Sequence, residues 1–280
     1  MPVLKEFHKP ADLSDALALL RRKSVHTVPL AGGTWLNPRI GKEVADCSNP
    51  VAEAVVDLSG LGLDRIERKM NTLHLGAMAT LTAVTKDETC RSLADGILAQ
   101  AARRDATVNV RNAATVGGTV IVAPADSEFL LALLALGAKL NTLAPSTPSK
   151  ETTVWSMQQF LSHPVAALND ELLIEVQVHL PARAASGLAR VARTPSDHPI
   201  VAAVAVVAQK PDAMRIALNG VDSHPLVVEF DRAGKAEEAV AQAIADADPH
   251  ADFRGTADYR RAMGALMAKR ALEQALGRSA

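Results

Sequence analysis

The chain has few cysteines and aromatic residues, and no excess of charge of either sign. Cys47 and Cys90 are the only cysteines and form no CxxC pattern, which excludes a disulfide framework and an iron–sulfur or cysteine-rich zinc site held by this chain alone. Because 30 Lys and Arg balance 31 Asp and Glu, we expect no general basic surface for nucleic acid. No apolar run approaches the roughly 20 residues of a membrane span, and charges and Pro10 interrupt the region of a signal peptide. We therefore expect a cytoplasmic protein without a membrane span.

The motifs of several common enzyme classes are missing as well. The sequence contains no GxGxxG, Walker A, HExxH or GxSxG pattern, which argues against a Rossmann fold, a P-loop nucleotide site, a zinc protease and an α/β-hydrolase. The eight histidines are scattered singly, and no pair of carboxylates stands out by its spacing. The sequence thus predicts no catalytic residue and no metal site.

Length and hydrophobic patterning predict one or two globular domains of mixed secondary structure. Hydrophobic residues make up 48% and charged residues 22% of 280 residues, which is ordinary for globular proteins. Helical and strand-like patterns mix without the regular alternation of a doubly wound sheet, which favours the α+β class. The character changes near residues 165–172, just before a segment with strand spacing, and residues 259–276 show the clearest helical pattern.

Two glycine pairs are the strongest candidates for a binding site. The first lies in LAGGTWL, Leu30 to Leu36, and the second in ATVGGT, Ala114 to Thr119. Glycine permits positive φ angles and lets a ligand approach the main-chain N–H groups closely. Successive amides in such a turn form a concave anion-binding nest. Two nests could hold one diphosphate from both sides, and the alternative is that both pairs are simply tight turns.

The two glycine-containing segments, together with other segments in the same order along the chain, resemble the FAD-binding medium subunit of the molybdenum hydroxylase family. This family includes carbon monoxide dehydrogenases and xanthine dehydrogenases. The resemblance covers nearly the whole chain and includes the segments PLAGGTWL, VVDLSGLGLDRIE, RNAATVGGT, ALLALGAKL, ELLIEVQVHLP and DFRGTADYRRAMGALMAKRALEQAL. It implies an α+β fold with a two-part FAD-binding domain of the PCMH type, residues 1–168, divided into subdomains of about 1–55 and 56–168. A smaller C-terminal α+β domain, residues 169–280, is expected to contain a three-stranded sheet and a helical bundle.

The resemblance also implies which residues contact FAD. The two loops are expected to contribute Pro29, Leu30, Ala31, Gly32, Gly33, Thr34, Trp35 and Leu36, then Thr115, Val116, Gly117, Gly118 and Thr119. Leu172 and Arg190 match positions that touch the flavin in relatives. The family's acidic position matches either Asp126 or Glu128, because the APADSE segment is shifted in register. Trp35 departs from the family pattern, and it either flanks the flavin ring or forms a half-buried hydrophobic plug.

The same resemblance implies that the chain is one subunit of an oxidoreductase complex. A large molybdopterin subunit and a small subunit with two two-iron, two-sulfur clusters are the expected partners, in a heterotrimer that dimerises. FAD on this chain would collect two electrons and pass them to an external acceptor that the sequence does not identify. Two other hypotheses remain open: a free-standing FAD-dependent oxidoreductase of the related oxidase group, and a non-catalytic scaffold that has lost FAD.

Overall fold

The computed structural model describes residues 4–40, 52–144, 152–162, 171–181, 183–208, 214–231 and 235–277. Cys47 lies outside the described residues, as does the expected domain boundary at 168. Helices and strands are mixed along the chain and form one parallel and two antiparallel sheets. The expected α+β class is confirmed. Within the described part of the chain, no helix has the length and apolar character needed to cross a membrane.

The N-terminal sheet is parallel and leads directly into the first glycine pair. Its strands follow the order β1-β3-β2 and comprise β1 (Glu6–His8), β2 (Thr27–Leu30) and β3 (Ala54–Asp57). Parallel strands of one sheet need a crossover connection, and helix α1 (Leu13–Leu20) lies on the connection between β1 and β2, which flank β3. Asp12 caps α1 by accepting a 2.9 Å hydrogen bond from the N–H of Asp15. Because β2 ends at Leu30, Gly32 and Gly33 lie at the carboxyl edge of this sheet.

The second sheet is antiparallel, has five strands, and carries most of the large core on one face. Its order is β4-β5-β8-β6-β7, comprising β4 (Ile66–Lys69), β5 (Thr72–Gly76), β6 (Lys139–Leu143), β7 (Thr152–Ser156) and β8 (Leu172–His179). The helices in this part of the chain are α2 (Leu81–Lys86), α3 (Glu88–Ser92), α4 (Ile97–Asp105), α5 (Val108–Ala113), α6 (Val116–Val122), α7 (Glu128–Ala135) and α8 (Met157–Ser162). Every residue of α7 is buried, so this helix forms the centre of the core.

Strand β8 differs from the expectation in the sheet it joins. The sequence assigns ELLIEVQVHL to the C-terminal domain, yet Val176 of β8 lies opposite Leu75 of β5 and opposite Leu140 of β6. The alternation of apolar and polar residues shows which face of a strand is buried, but it does not show which strand becomes its neighbour. We therefore propose that the boundary between the two domains follows His179.

The C-terminal part is a four-stranded antiparallel sheet covered by two helices. Its order is β12-β11-β10-β9, comprising β9 (Ala184–Val191), β10 (Val201–Ala208), β11 (Met214–Asn219) and β12 (Leu226–Phe230), with helices α9 (Ala236–Ala245) and α10 (Ala257–Ala275). The resemblance implies three strands. The strand that makes the fourth, β12, is a five-residue edge strand that follows a polar turn. Helix α10 agrees with the pattern over residues 259–276.

The two parts share one continuous core through helix α7. The helix contacts β10 and β11 of the C-terminal sheet, and Leu131 and Leu133 belong to the same buried cluster as Val204 and Val206 of β10. The C-terminal sheet is thereby fixed against the part that contains the two glycine pairs, rather than joined to it by a free linker.

Candidate functional site

The first glycine pair forms a turn with free main-chain donors. Gly33 has a φ of +69°, and the N–H of Asn37 closes the turn by donating to the carbonyl oxygen of Gly33 at 2.9 Å. Within the described residues, the N–H groups of residues 32–36 donate no hydrogen bond. Main-chain donors normally find a partner in protein or in water. This run of free amides agrees with the predicted anion-binding nest.

The second glycine pair is not a nest, and that part of the prediction is wrong. Gly117 and Gly118 lie in the first turn of α6, where Thr115 is the N-cap and accepts a 3.0 Å hydrogen bond from the N–H of Gly118. The N–H groups of Val116 and Gly117 donate to the carbonyl oxygens of Ala79 and Ala77, both at 2.8 Å. The amide of Thr119 continues the helix by donating to Thr115. The N–H groups of residues 116–119 are therefore already used within the protein.

The glycines of the second pair instead permit close packing. A Cβ atom on Gly117 would lie 2.8 Å from the Cβ of Ala77, a distance that real Cβ atoms do not adopt. A Cβ atom on Gly118 would lie 3.0 Å from Oγ1 of Thr115 and 3.9 Å from the Cβ of Ala31 in the first loop. Gly117 thus allows α6 to pack closely against Ala77, which follows β5. Gly118 lies next to Ala31, at the space between the two loops.

The structure brings the two predicted loops into direct contact. A Cβ atom on Gly32 would lie 1.7 Å from the carbonyl oxygen of Ala113, so only glycine allows the two backbones to approach this closely. Leu172 is 5% exposed and belongs to the small buried cluster against which the half-buried Ala31 packs. Two loops far apart in sequence and Leu172 therefore lie at one place in the fold, as the resemblance implies.

Glu128 and Arg190 form a buried ion pair between the two parts of the molecule. The Nε of Arg190 on β9 lies 2.8 Å from Oε1 of Glu128 at the start of α7, and the Glu128 side chain is 2% exposed. Neither atom reaches hydrogen-bond geometry in this pair. Burial raises the pKa of the Glu128 carboxyl, and the nearby charge of Arg190 offsets part of that rise.

Arg190 also holds the loop between β9 and β10. Its guanidinium donates to the carbonyl oxygens of Pro195 and Asp197. His198 in the same loop has its Nδ1 3.8 Å from a carboxylate oxygen of Asp126. Arg190 thus joins Glu128 to a loop that lies over the α6–α7 connection.

Asp126 is the more accessible of the two candidate carboxylates. Its side chain is 31% exposed, and besides His198 it faces Nη1 of Arg254 at 3.5 Å. These two distances describe ion pairs without a direct hydrogen bond, so the carboxylate oxygens can still accept one from a ligand. Of the two alternatives that the sequence leaves open, the geometry favours Asp126 as the group that faces a cofactor.

Trp35 lies at the surface of the first loop. Trp35 is 45% exposed, and the guanidinium carbon of Arg39 lies 4.2 Å from the centroid of its ring. Arg39 also donates to the carbonyl oxygen of Trp35 at 2.7 Å. Stacking with Arg39 fixes one side of the indole at the surface of the loop.

Two residues that support the site were not singled out from the sequence. Asp105, at the end of α4, accepts hydrogen bonds from Oγ of Ser127 at 2.8 Å and from the N–H of Phe129 at 3.1 Å, and burial raises its pKa. Arg254 bridges Asp126 and Asp252. The short spacing of Asp252 and Arg254 in the DFRG segment was a sequence signal for the ion pair between these two residues. No local pattern connects Asp105 with a helix 23 residues later in the chain.

The chain is similar to proteins of one family over most of its length. The sequence model described as the FAD binding domain in molybdopterin dehydrogenase matches residues 4–183. The chain is 31% identical over 269 residues to the uncharacterized protein YgfM of Escherichia coli (strain K12), covering 92% of each chain. It is 29% identical over 296 residues to the carbon monoxide dehydrogenase medium chain of Hydrogenophaga pseudoflava, covering 100% of both.

A solved structure shares the fold over the full length. A chain of the reconstituted CO dehydrogenase from Oligotropha carboxidovorans superimposes with a TM-score of 0.84, with 24% identity and with 100% of both chains covered. At this identity the superposition is a statement about the fold. It includes the C-terminal part, which lies beyond the residues that the family model matches.

Proposed function

We propose a function from the premise that this chain belongs to the family of the FAD binding domain in molybdopterin dehydrogenase. Its cofactor is FAD, and the chain is an oxidoreductase component of the medium-subunit type. Our proposal adds that the chain carries electrons between a molybdenum-containing partner and an external acceptor. The observation that carries the proposal is the run of free amides in residues 32–36, which borders Gly118 of the second loop.

The residues of the two loops fit a diphosphate. Free N–H groups on residues 32–36 supply donors for anionic oxygens, and positive φ at Gly33 gives the turn its curvature. Gly118 leaves room beside Ala31, where any larger residue would project. Trp35 supplies exposed apolar surface on the first loop, and the buried Leu172 lies in the cluster that Ala31 contacts. Asp126 supplies an accessible carboxylate, and Arg190 holds the β9–β10 loop over the α6–α7 connection. We propose that these groups bind and orient the cofactor.

The proposed role explains why the chain needs no catalytic acid or base. Bound FAD can accept one or two electrons, and the protein's part is to hold it, shield it and tune its potential. We propose that a small partner with two-iron, two-sulfur clusters delivers the electrons and that a large molybdopterin subunit holds the substrate pocket. The relative named as a medium chain of carbon monoxide dehydrogenase supports such an assembly.

The FAD site can be tested by closing the space beside Gly118. We expect Gly118→Val to lose FAD retention, because its side chain projects toward Ala31 between the two loops. Gly60→Val is the matched control, since a Cβ atom on Gly60 has no neighbour nearer than the Cε of Lys9 at 4.0 Å. Circular dichroism must show that both variants fold. A folded Gly118→Val chain that retains FAD as well as the control does would contradict the proposed site.

The proposed partners can be tested by purifying a tagged chain from the cells that produce it. We expect two further chains to copurify, with molybdenum and iron in the complex and with reduced FAD that an added acceptor reoxidises. A flavin-containing chain that purifies alone and oxidises a small substrate by itself would favour the free-standing oxidoreductase. A folded chain without FAD or partners would favour the scaffold.

A further inference from the structure

A cavity of about 350 Å³ lies between the five-stranded and four-stranded sheets, away from the glycine loops. It is formed at the C-terminal end of α7, where Leu136 and Gly137 connect the helix to β6. Glu128 occupies the other end of α7, about 12 Å away for a helix of this length. The cavity is therefore separate from the residues proposed to hold FAD.

The cavity brings together basic side chains from three strands. Lys139 of β6, His179 of β8 and Arg215 of β11 line it, and the set of lining residues contains no carboxylate. In the described part of the chain, Lys139 makes no ion pair. Because Gln177 lies opposite Lys139 and is two residues from His179, these side chains occupy one face of the sheet. Lys139 of the five-stranded sheet and Arg215 of the four-stranded sheet thus place positive charge at the same cavity.

The guanidinium of Arg215 lies directly beside Gly137, where a side chain would displace it. A Cβ atom on Gly137, whose φ is +66°, would lie 2.7 Å from Nη1 of Arg215. The Nε of Arg215 is paired with Glu229 at 2.6 Å, which fixes the side chain and offsets part of its charge. Among the described residues, Glu175 of β8 is a second carboxylate on this sheet, and it is engaged by Asn141 and Gln177 at 2.9 Å and 2.8 Å and by His74 at 3.0 Å.

Three of the last carbonyl oxygens of α7 accept hydrogen bonds within the protein. The amides of Leu136, Gly137 and Ala138 donate to the carbonyl oxygens of Ala132, Leu134 and Leu133. These bonds leave fewer helix-terminal carbonyl oxygens free to repel an anion. The remaining wall is apolar and includes Leu136, Pro181 and Val206.

We propose that this cavity binds a small organic phosphate monoester. Its volume lies in the range of about 300–1,000 Å³ typical of small-molecule sites. Lys139 and Arg215 face the phosphate, which carries a charge of about −1.5 to −2 at neutral pH. Leu136, Pro181 and Val206 contact the organic part. A ligand held by both sheets stabilises their packing, because it binds the folded state alone.

Phenyl phosphate is a suitable probe, with phenol as the uncharged control. Titration calorimetry at constant ionic strength uses the chain saturated with FAD, so that the glycine loops do not compete for the phosphate. We expect saturable binding of phenyl phosphate that phenol does not reproduce. We expect Lys139→Gln and Arg215→Gln each to weaken binding by about tenfold, because each removes a charge-assisted contact.

Lys23→Gln is the matched control for the loss of one positive charge at an exposed position outside the cavity. It is expected to bind phenyl phosphate as the parent chain does. The proposal is overturned if phenyl phosphate shows no saturable binding, if phenol binds equally well, or if Lys139→Gln and Arg215→Gln bind as tightly as Lys23→Gln. Circular dichroism confirms that each variant is folded.

Discussion

Asp126 and Glu128 are separated by one residue and lie in different environments. The Glu128 side chain is 2% exposed beside Arg190, whereas Asp126 is 31% exposed beside His198 and Arg254. Helix α7 begins at Glu128, which turns this residue into the core and leaves Asp126 in the preceding turn. Sequence could not choose between the two carboxylates, because the choice depends on where the helix begins and on a partner 62 residues later.

The two carboxylates can be distinguished by replacing each with its amide. We expect Asp126→Asn to weaken FAD binding by about tenfold through loss of a charged acceptor. Glu128→Gln should change FAD affinity less than twofold, since its carboxylate oxygens are inaccessible. FAD affinity is measured by fluorescence titration of the apoprotein. The reverse ranking of the two variants would assign the acidic position to Glu128.

At the scale of helices and strands, the sequence predicted the first glycine loop better than the second. PLAGGTWL follows a strand and carries a positive φ at Gly33, as a turn after β2 requires. TVGGTVIV has strand-like β-branched residues but forms helix α6, capped by Thr115. Tertiary packing of Gly117 on Ala77 outweighs the local preference. The second loop therefore contacts the first as predicted, but with its amides already paired.

Close packing of α10 on β9 gives a prediction at the same scale. A Cβ atom on Gly187 would lie 2.0 Å from the carbonyl oxygen of Ala271 and 2.7 Å from the Cβ of Gln274. Gly187→Ala must push the helix away from the sheet, and we expect it to lower the free energy of unfolding by about 1–3 kcal/mol. Urea unfolding measures this difference.

The matched control for Gly187→Ala is Gly60→Ala, where the new Cβ atom meets no atom nearer than 4.0 Å. Its free energy of unfolding should stay within about 0.5 kcal/mol of the parent value. Equal stability of Gly187→Ala and Gly60→Ala would show that α10 does not approach β9 as closely as described here.

For the whole molecule, an ion-pair network fixes the last helix to the C-terminal sheet. Arg260 of α10 is 5% exposed and donates to the carbonyl oxygens of Ile200 and Gly220 and to Asp252, at distances of 2.9, 3.2 and 2.8 Å. Asp252 also pairs with Arg254, which faces Asp126. The network thus extends from the core of the C-terminal part to the edge of the proposed FAD site.

This network predicts how stability depends on pH. Hydrogen bonds from Arg260 and Arg254 hold the pKa of Asp252 well below its ordinary value of 3.8. A lowered pKa in the folded state contributes stability above that ordinary value, and the contribution is lost as the pH falls toward the folded-state pKa. We expect Asp252→Asn to be less stable than the parent chain at about pH 6 and the difference to shrink at about pH 3.

Urea unfolding of both proteins at the two pH values checks this prediction. The exposed Asp258→Asn, on the first turn of α10 and with a side chain that is 98% exposed, serves as the control for loss of one carboxylate. A stability difference between parent and Asp252→Asn that does not change with pH would show that the carboxylate titrates normally.

For the whole molecule, the sequence predicted the fold class and the longest helix, but it did not predict which strands pair. The mixture of helical and strand-like patterns led to the α+β class, and hydrophobic periodicity led to the long helix α10. The strand partners did not follow from the sequence, since β8 joins the first antiparallel sheet and β12 adds an edge to the second. Both depend on contacts between segments distant in the chain, and no local periodicity encodes them.

The FAD content of the purified chain tests the central claim most directly. Acid release and chromatography of the bound pigment, together with the absorbance spectrum, measure how much FAD each chain carries. The account predicts a flavin spectrum and one FAD per chain, retained by Gly60→Val and lost by Gly118→Val. A colourless, folded chain that also fails to bind added FAD would contradict it.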